Sequence, residues 1–171
     1  MNAVIDNILT RRSIRAFTEK EIPRGELELL TKCAAYAPSA RNLQTWKFTV
    51  LTQRKDIDAL AGAIGKALGR EGYDMYKPSA LIIPSNDVDS PFGRDDNACA
   101  LENIFLAAHS LGIGSVWINQ LNGICGNPEV RALLTGFDIP ANHVVFGMAA
   151  LGYAREIENK KVEKIGQVKF I

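Results

Sequence analysis

Three guanidinium groups and a hydroxyl fall within five residues at Arg11-Arg12-Ser13-Ile14-Arg15. Guanidinium forks match phosphate oxygens, and a hydroxyl adds a neutral hydrogen bond, so the cluster has the chemistry of phosphate recognition. The same residues also suit a solvated helix C-terminus that complements the macrodipole. A second cluster, Ala37-Pro38-Ser39-Ala40-Arg41-Asn42-Leu43-Gln44-Thr45-Trp46, gathers small side chains, two amides and hydroxyls. Small residues let the backbone approach a flat ring, and amides can read its polar edge. Alone, it reads rather as a helix-ending loop with Trp46 plugging the core.

Other chemistries lack their residues. There is no Gly-x-Ser-x-Gly elbow. Gly112-Ile113-Gly114 follows a helical pattern rather than a strand, so it reads as a helix stop, not a dinucleotide loop. His109 and His143 read as packed or surface residues. Asp95 and Asp96 read as helix-capping acids rather than a catalytic pair. Cys33, Cys99 and Cys125 have no metal-ligand spacing. Their odd number and wide spacing argue against a disulfide framework and suit a reducing, cytoplasmic compartment. An enzyme without activated acids, bases or metal borrows its chemistry from a cofactor.

These clusters need elements to position them. Val4, Ile5, Ile8 and Leu9 share a helical face ending near Thr10. Pro23 opens a second helix, with Leu27, Leu30, Ala34 and Ala35 at helical spacing and Pro38 as its stop. Lys47–Leu51 reads as a strand, Ile57–Leu68 as a helix, and Ala80–Ile83 as a short buried strand ended by Pro84. A long helix runs from Asp96 to Leu111, followed by a strand at Gly114–Ile118. Pro128–Leu134 reads as a short helix and His143–Leu151 as one final strand. The residues themselves point to an α+β or α/β chain with one mixed sheet between helices.

Length and charge set the limits. The 171 residues fit a single domain over 1–171, with no internal repeat or linker. A net charge of +1 points to neither nucleic acid nor an anionic membrane. No basic segment followed by an apolar one marks a signal peptide at the N-terminus. The longest uncharged apolar stretch, Val144–Ala154, is too short to span a bilayer.

Together the two clusters resemble the nitroreductase family. That family opens with a helix, then an Arg-Arg/His-Ser-x-Arg/Lys segment and an aromatic, matched here by Arg11 to Arg15 and Phe17. Its Ala-Pro-Ser-x-x-Asn-x-Gln-x-Trp segment is matched from Ala37 to Trp46. The long helix with Gly112-Ile113-Gly114-Ser115-Val116-Trp117-Ile118, and Ala150-Leu151-Gly152-Tyr153, resemble its central helix and later strands.

The resemblance implies an α+β fold: a central mixed, mainly antiparallel sheet flanked by helices, in an intertwined homodimer. It implies FMN held at the dimer interface. Arg11 and Ser13 would bind the phosphate, with Arg12 at the phosphate or ribityl chain and Arg15 near the ring's N1 and O2 edge. Pro38, Ser39, Ala40 and Asn42 of the other subunit would border the ring, with Gln44 close by. Trp117, Ile118, Asn119 and Gln120 would pass the ring with a backbone N–H toward N5. Lys160 and Lys161 match the basic pair that reaches the phosphate, and Arg70 is a loose match to a ribityl-binding residue. The C-terminal segment Gln167–Ile171 would reach across to the partner's sheet.

The implied activity is ping-pong electron transfer from NADH or NADPH to a nitroaromatic, a quinone or a similar small-molecule acceptor. Two alternatives stay open. One is specialised flavin chemistry, such as dehalogenation or flavin breakdown. The other is a non-catalytic flavin-binding or redox-sensing module. The short connection from Pro84 to Arg94 implies a smaller cover over the site than larger relatives have.

Overall fold

Apolar residues at alternate positions set a sheet that buries both faces. The computed structural model describes residues 2–156 and 164–171. Helix α1 (Ala3–Thr10) is followed by α2 (Arg24–Ala35), a 3₁₀ turn (Ala40–Asn42), β1 (Trp46–Leu51) and α3 (Arg54–Ala67). Then come β2 (Ala80–Asp87), α4 (Gly93–Ser110), β3 (Gly114–Ile118), α5 (Pro128–Gly136), β4 (His143–Val144) and β5 (Met148–Gly152). Strand order is β1-β2-β5-β3, with β4 beside β2. Every ladder between these strands is antiparallel. Among the described residues, the parallel part of the expected mixed sheet reduces to one bridge, Ser13 to Ser115, beside β3.

The strand period of two sorts the core into two layers. Leu81, Ile83, Val116, Ile118, Met148 and Ala150 pack with α3 and α5 residues such as Ile57, Leu60 and Leu134. Ala80, Ile82, Ala149 and Leu151 face the other way and pack with α2 and α4 through Leu30, Leu101 and Ile104. Helix α4 is therefore a central support, backed by the sheet and flanked by α2.

Three boundaries differ from the sequence expectation. Strand β2 runs through Pro84 to Asp87 instead of stopping there. On the side away from β1, β5 pairs only Ala80–Ile82 and β4 only Asn86–Asp87. Pro84 lies in the gap between them, where its missing N–H costs no ladder bond. Helix α4 begins at Gly93, three residues earlier, because a glycine there lets the helix start against Asn86. A β-carbon on residue 93 would stand 3.1 Å from the Asn86 side chain. The single strand expected over His143–Leu151 is two strands. Between them the Val145 N–H turns to the Cys125 sulfur at 3.3 Å, and Gly147 makes room for Trp117.

Candidate cofactor site

The arginine segment is fixed to the edge of β3. The Arg11 backbone N–H closes α1 on Asn7 O at 3.1 Å, and the Ile14 N–H donates to Ser115 O at 2.9 Å. Gly114 admits Ile14, since a β-carbon there would meet Ile14 at 3.0 Å. Farther on, the Thr18 N–H donates to Tyr153 O at 2.8 Å. Phe17 packs where a β-carbon on Gly152 would stand 2.8 Å from its ring. Sliding the segment by one residue would break these contacts together.

The fixed segment borders a cleft of about 160 Å³ lined by Arg11, Ser13, Glu102, Phe105, Ser115, Val116 and Trp117. Arg11 Nε stands 3.7 Å from the Glu102 carboxylate. That distance is an ion pair but too long for a hydrogen bond, so Glu102 orients the guanidinium while Arg11 keeps its donors. Trp117 leans on Phe105 of α4, with ring centroids 6.0 Å apart. Arg12 is half-buried beside this cleft-lining pair in sequence, and Arg15 is exposed. Among the residues that follow Trp117, Ile118 is buried, Asn119 is exposed and Gln120 is half-buried. The Gln120 Oε1 is buried without a hydrogen-bond partner among the described residues. Lys160 and Lys161 lie outside the described residues.

The second cluster forms a tight loop. Arg41, Asn42 and Gln44 have φ values of 54°, 55° and 49°. These are left-handed conformations that L-residues disfavour. The Gln44 N–H donates to Ser39 Oγ at 3.2 Å, and its amide donates to Asn42 Oδ1 at 2.8 Å. Pro38, Asn42 and Gln44 are exposed, while Ser39 and Ala40 are half-buried. The Ala40 N–H donates to Asp96 Oδ1 at 2.9 Å.

The two clusters do not meet within one chain. None of the residues from Pro38 to Gln44 lines the Arg11 cleft. The loop is tied to α4 at Asp96 and the cleft at Glu102. Six residues of helix separate these anchors by about 9 Å along the axis and about 120° around it. The two clusters thus lie at different faces of α4.

Several participants are invisible to sequence spacing. Glu102, Phe105 and Ser115 line the cleft but belong to no local cluster. The one sequence sign is Ser115 itself, a hydroxyl in an otherwise apolar buried strand. Asp96 lies in the first turn of α4, as expected of a capping acid, but its side chain binds the Ser39–Gln44 loop, and the N-cap Phe92 makes no side-chain capping bond. Arg70 lines a different depression, with Tyr73 and Lys66. Both histidines are packed: His109 pairs with Thr10 Oγ1 at 2.9 Å and His143 with Ser85 Oγ at 3.0 Å. Burial lowers the His143 pKa and raises that of the Cys125 thiol. Neither residue lines the cleft.

Known proteins share this fold. The family model described as "Nitroreductase family" matches residues 8–153. The crystal structure of a nitroreductase with bound FMN from Bacteroides fragilis superimposes with a TM-score of 0.95 at 38% identity, covering 100% of both chains. A relative from Archaeoglobus fulgidus, with the provisional name NADH dehydrogenase/NAD(P)H nitroreductase, is 36% identical over 91% of this chain and 88% of its own. The NADPH-flavin oxidoreductase of Vibrio harveyi is 30% identical over 80% of this chain and 64% of its own. No helix among the described residues is long and apolar enough to cross a membrane. With a model match over most of its length and relatives this similar, the chain belongs to the nitroreductase family.

Proposed function

We propose that this chain is an FMN-dependent oxidoreductase that takes electrons from NADH or NADPH and passes them by a ping-pong mechanism to a nitroaromatic, a quinone or a similar small acceptor. The observation that carries this reading is the Arg11–Ser13 cleft, where a guanidinium with its donors available stands beside a hydroxyl. That donor set fits a phosphate monoester. Three residues along the chain from the cleft-lining Trp117, Gln120 Oε1 is a buried acceptor without a hydrogen-bond partner among the described residues. When bound, FMN supplies two-electron chemistry, with hydride arriving from a nicotinamide and electrons leaving to the acceptor.

The protein's part is to hold and orient. Arg11, Arg12 and Ser13 bind the phosphate end. Arg15 supplies positive charge at the ring, where negative charge gathers on reduction. Trp117 to Gln120 line one side of the ring. Pro38, Ser39, Ala40, Asn42 and Gln44 of a second subunit border the other side.

The separation of the two clusters and the exposed apolar surface support a second subunit. Helix α1 buries none of its residues, and Val4, Ile5, Ile8 and Leu9 form an exposed face. A face of that kind is stable in water when another surface covers it. A homodimer would cover it and bring one chain's loop to its partner's cleft. Cysteines without disulfide partners support a cytoplasmic, reducing setting.

The test is a visible spectrum of the purified protein, followed by anaerobic titration with NADH and with NADPH. Yellow protein bleached by either nicotinamide supports the proposal. Yellow protein inert to both supports a flavin-binding or sensing module instead. Protein that neither carries nor takes up FMN overturns the reading.

A further inference from the structure

The Ser39–Gln44 loop keeps three side-chain-bearing residues in left-handed conformations. Such strain persists where the surroundings over-determine it. Here both ends of the loop are tied to one corner between β2 and α4. At one end, the Ala40 N–H donates to Asp96 Oδ1 at 2.9 Å. At the other, Thr45 Oγ1 donates to Asn86 Oδ1 at 2.6 Å. Asn86 in turn donates to Asn97 Oδ1 at 3.3 Å, and Asn97 donates to Pro84 O at 3.4 Å.

This knot is buried. Asn86 and Asn97 are 0% exposed and Asp96 is 4% exposed. A buried carboxylate is costly, and a helix start does not require one. Asp95, its exposed neighbour, complements the α4 dipole from solvent. The burial of Asp96 therefore has another purpose, and its bond to Ala40 identifies it.

We propose that Asp96 is a positioning residue for the flavin ring, acting through Ala40 to hold the Ser39–Gln44 loop in the conformation that borders the ring. This rests on the reading of that loop as part of the flavin site. Asp96 touches no cofactor itself. Its effect falls on the ring end of the ligand, whereas Arg11 and Ser13 act on the phosphate end. Asn86 and Thr45 fix the far end of the loop, so Asp96 controls the end nearer Pro38.

The experiment compares Asp96→Ala and Asp96→Asn with the wild type, each stripped of flavin and titrated with FMN and with riboflavin. Asp96→Ala is expected to weaken both ligands by the same factor, roughly tenfold or more. It is also expected to shift the midpoint potential of the bound flavin. Asp96→Asn keeps an acceptor oxygen for the Ala40 N–H and is expected to restore affinity and potential toward wild type.

If Asp96→Ala fails to fold, Ala40→Pro removes the donor of the same bond. Ser39 already has φ −125° and ψ 145°, the conformation favoured before proline, and residue 40 opens the 3₁₀ turn. Ala40→Pro is expected to weaken both ligands as Asp96→Ala would. Unchanged affinity and potential in a folded variant overturn the proposal, as does loss of FMN binding with riboflavin untouched. Wild-type protein that binds neither ligand overturns the underlying flavin reading instead, so the two failures are distinguishable.

Discussion

Trp117 occupies the space that a side chain at Gly147 would need: a β-carbon there would stand 2.4 Å from Trp117 Nε1 and 2.6 Å from Cε2. The same indole leans on Phe105 and lines the Arg11 cleft. The break between β4 and β5 is thus linked to the shape of the Arg11 cleft. Gly147→Ala is expected to push the indole off its seat and to cost about 1–3 kcal/mol of stability by overpacking. Trp46 is the other of the chain's two tryptophans, so a Trp46→Phe background isolates the signal. The emission of Trp117 should change and FMN affinity should fall. An unchanged spectrum together with an unchanged melting temperature would show that the site absorbs the methyl group.

The Arg11 guanidinium and the Ser13 hydroxyl should read the phosphate and nothing else. Arg11→Ala is expected to lower FMN affinity at least tenfold, since a charge-assisted hydrogen bond contributes ~1.5–3 kcal/mol. Riboflavin, without the phosphate, should bind both proteins alike and more weakly than FMN binds the wild type. Fluorescence titration of the two ligands checks this. Equal wild-type affinity for FMN and riboflavin would remove the phosphate assignment.

Local pattern made part of this molecule readable. Apolar spacing over Ile57–Leu68 and Gly114–Ile118 is enough to find α3 and β3, because their periodicity expresses direct burial. Pro84 misleads for the opposite reason. Its tolerance depends on which neighbouring strands end beside it, and that is a property of the assembled sheet. The arginine segment offers phosphate-binding groups through residue type, but its ion pair with Glu102 is invisible in the sequence, since the two residues meet only when α4 packs beside the end of α1. Asp96 shows both limits at once. Its position in the first turn of α4 is legible, while its burial and its bond to Ala40 depend on tertiary packing.

The three thiols should be dispensable for electron transfer. Cys33 lies in α2 and Cys99 in α4, and neither lines the cleft. Cys125 is buried, and its thiol pKa is raised chiefly by that burial, which disfavours the reactive thiolate. A triple replacement by Ala or Ser is expected to keep FMN and to be reduced by nicotinamide at a near wild-type rate. It should lose some stability, because Cys125 also bonds Val145. Folded, FMN-loaded triple mutant that resists reduction would assign a thiol to the chemistry.

His143 should make the fold acid-sensitive. Burial lowers its pKa below the ordinary value of 6.5 and outweighs the opposing effect of Asp87. The unfolded chain then takes up a proton before the folded one does. The stabilising contribution is full above 6.5 and is lost as pH falls from there through the lowered folded value. His143→Gln removes the titration and retains a group able to meet Ser85 Oγ. Melting temperatures measured from about pH 7.5 to about pH 5 should fall less steeply in the variant than in the wild type. Identical slopes would show that other groups set the acid limb.

The C-terminal segment should be the strongest tie of the proposed dimer. Ile165, Val168 and Phe170 are 93%, 78% and 93% exposed in the single chain, and the described tail joins none of its own strands. Val168 and Phe170 flank Lys169, the alternation of a half-buried strand. Strand β1 pairs only with β2 among the described residues, and its other side is an open edge. A groove of about 710 Å³ is lined by Leu27 of α2, Val50 of β1 and Ala80 of β2. A partner's tail laid on such an edge would cover its unpaired backbone and bury its own apolar side chains. Each buried side chain contributes roughly 1.5–3 kcal/mol, and two-fold symmetry repeats the exchange. Deleting Gln167–Ile171 is therefore expected to weaken the dimer. Because the loop of one subunit would complete the cleft of the other, FMN occupancy should fall with it. Size-exclusion chromatography read at both the protein and flavin bands measures the two effects together. A truncated protein that remains a tight, fully yellow dimer would show that the tail is a solvated end and that other surfaces, such as the exposed face of α1, hold the subunits together.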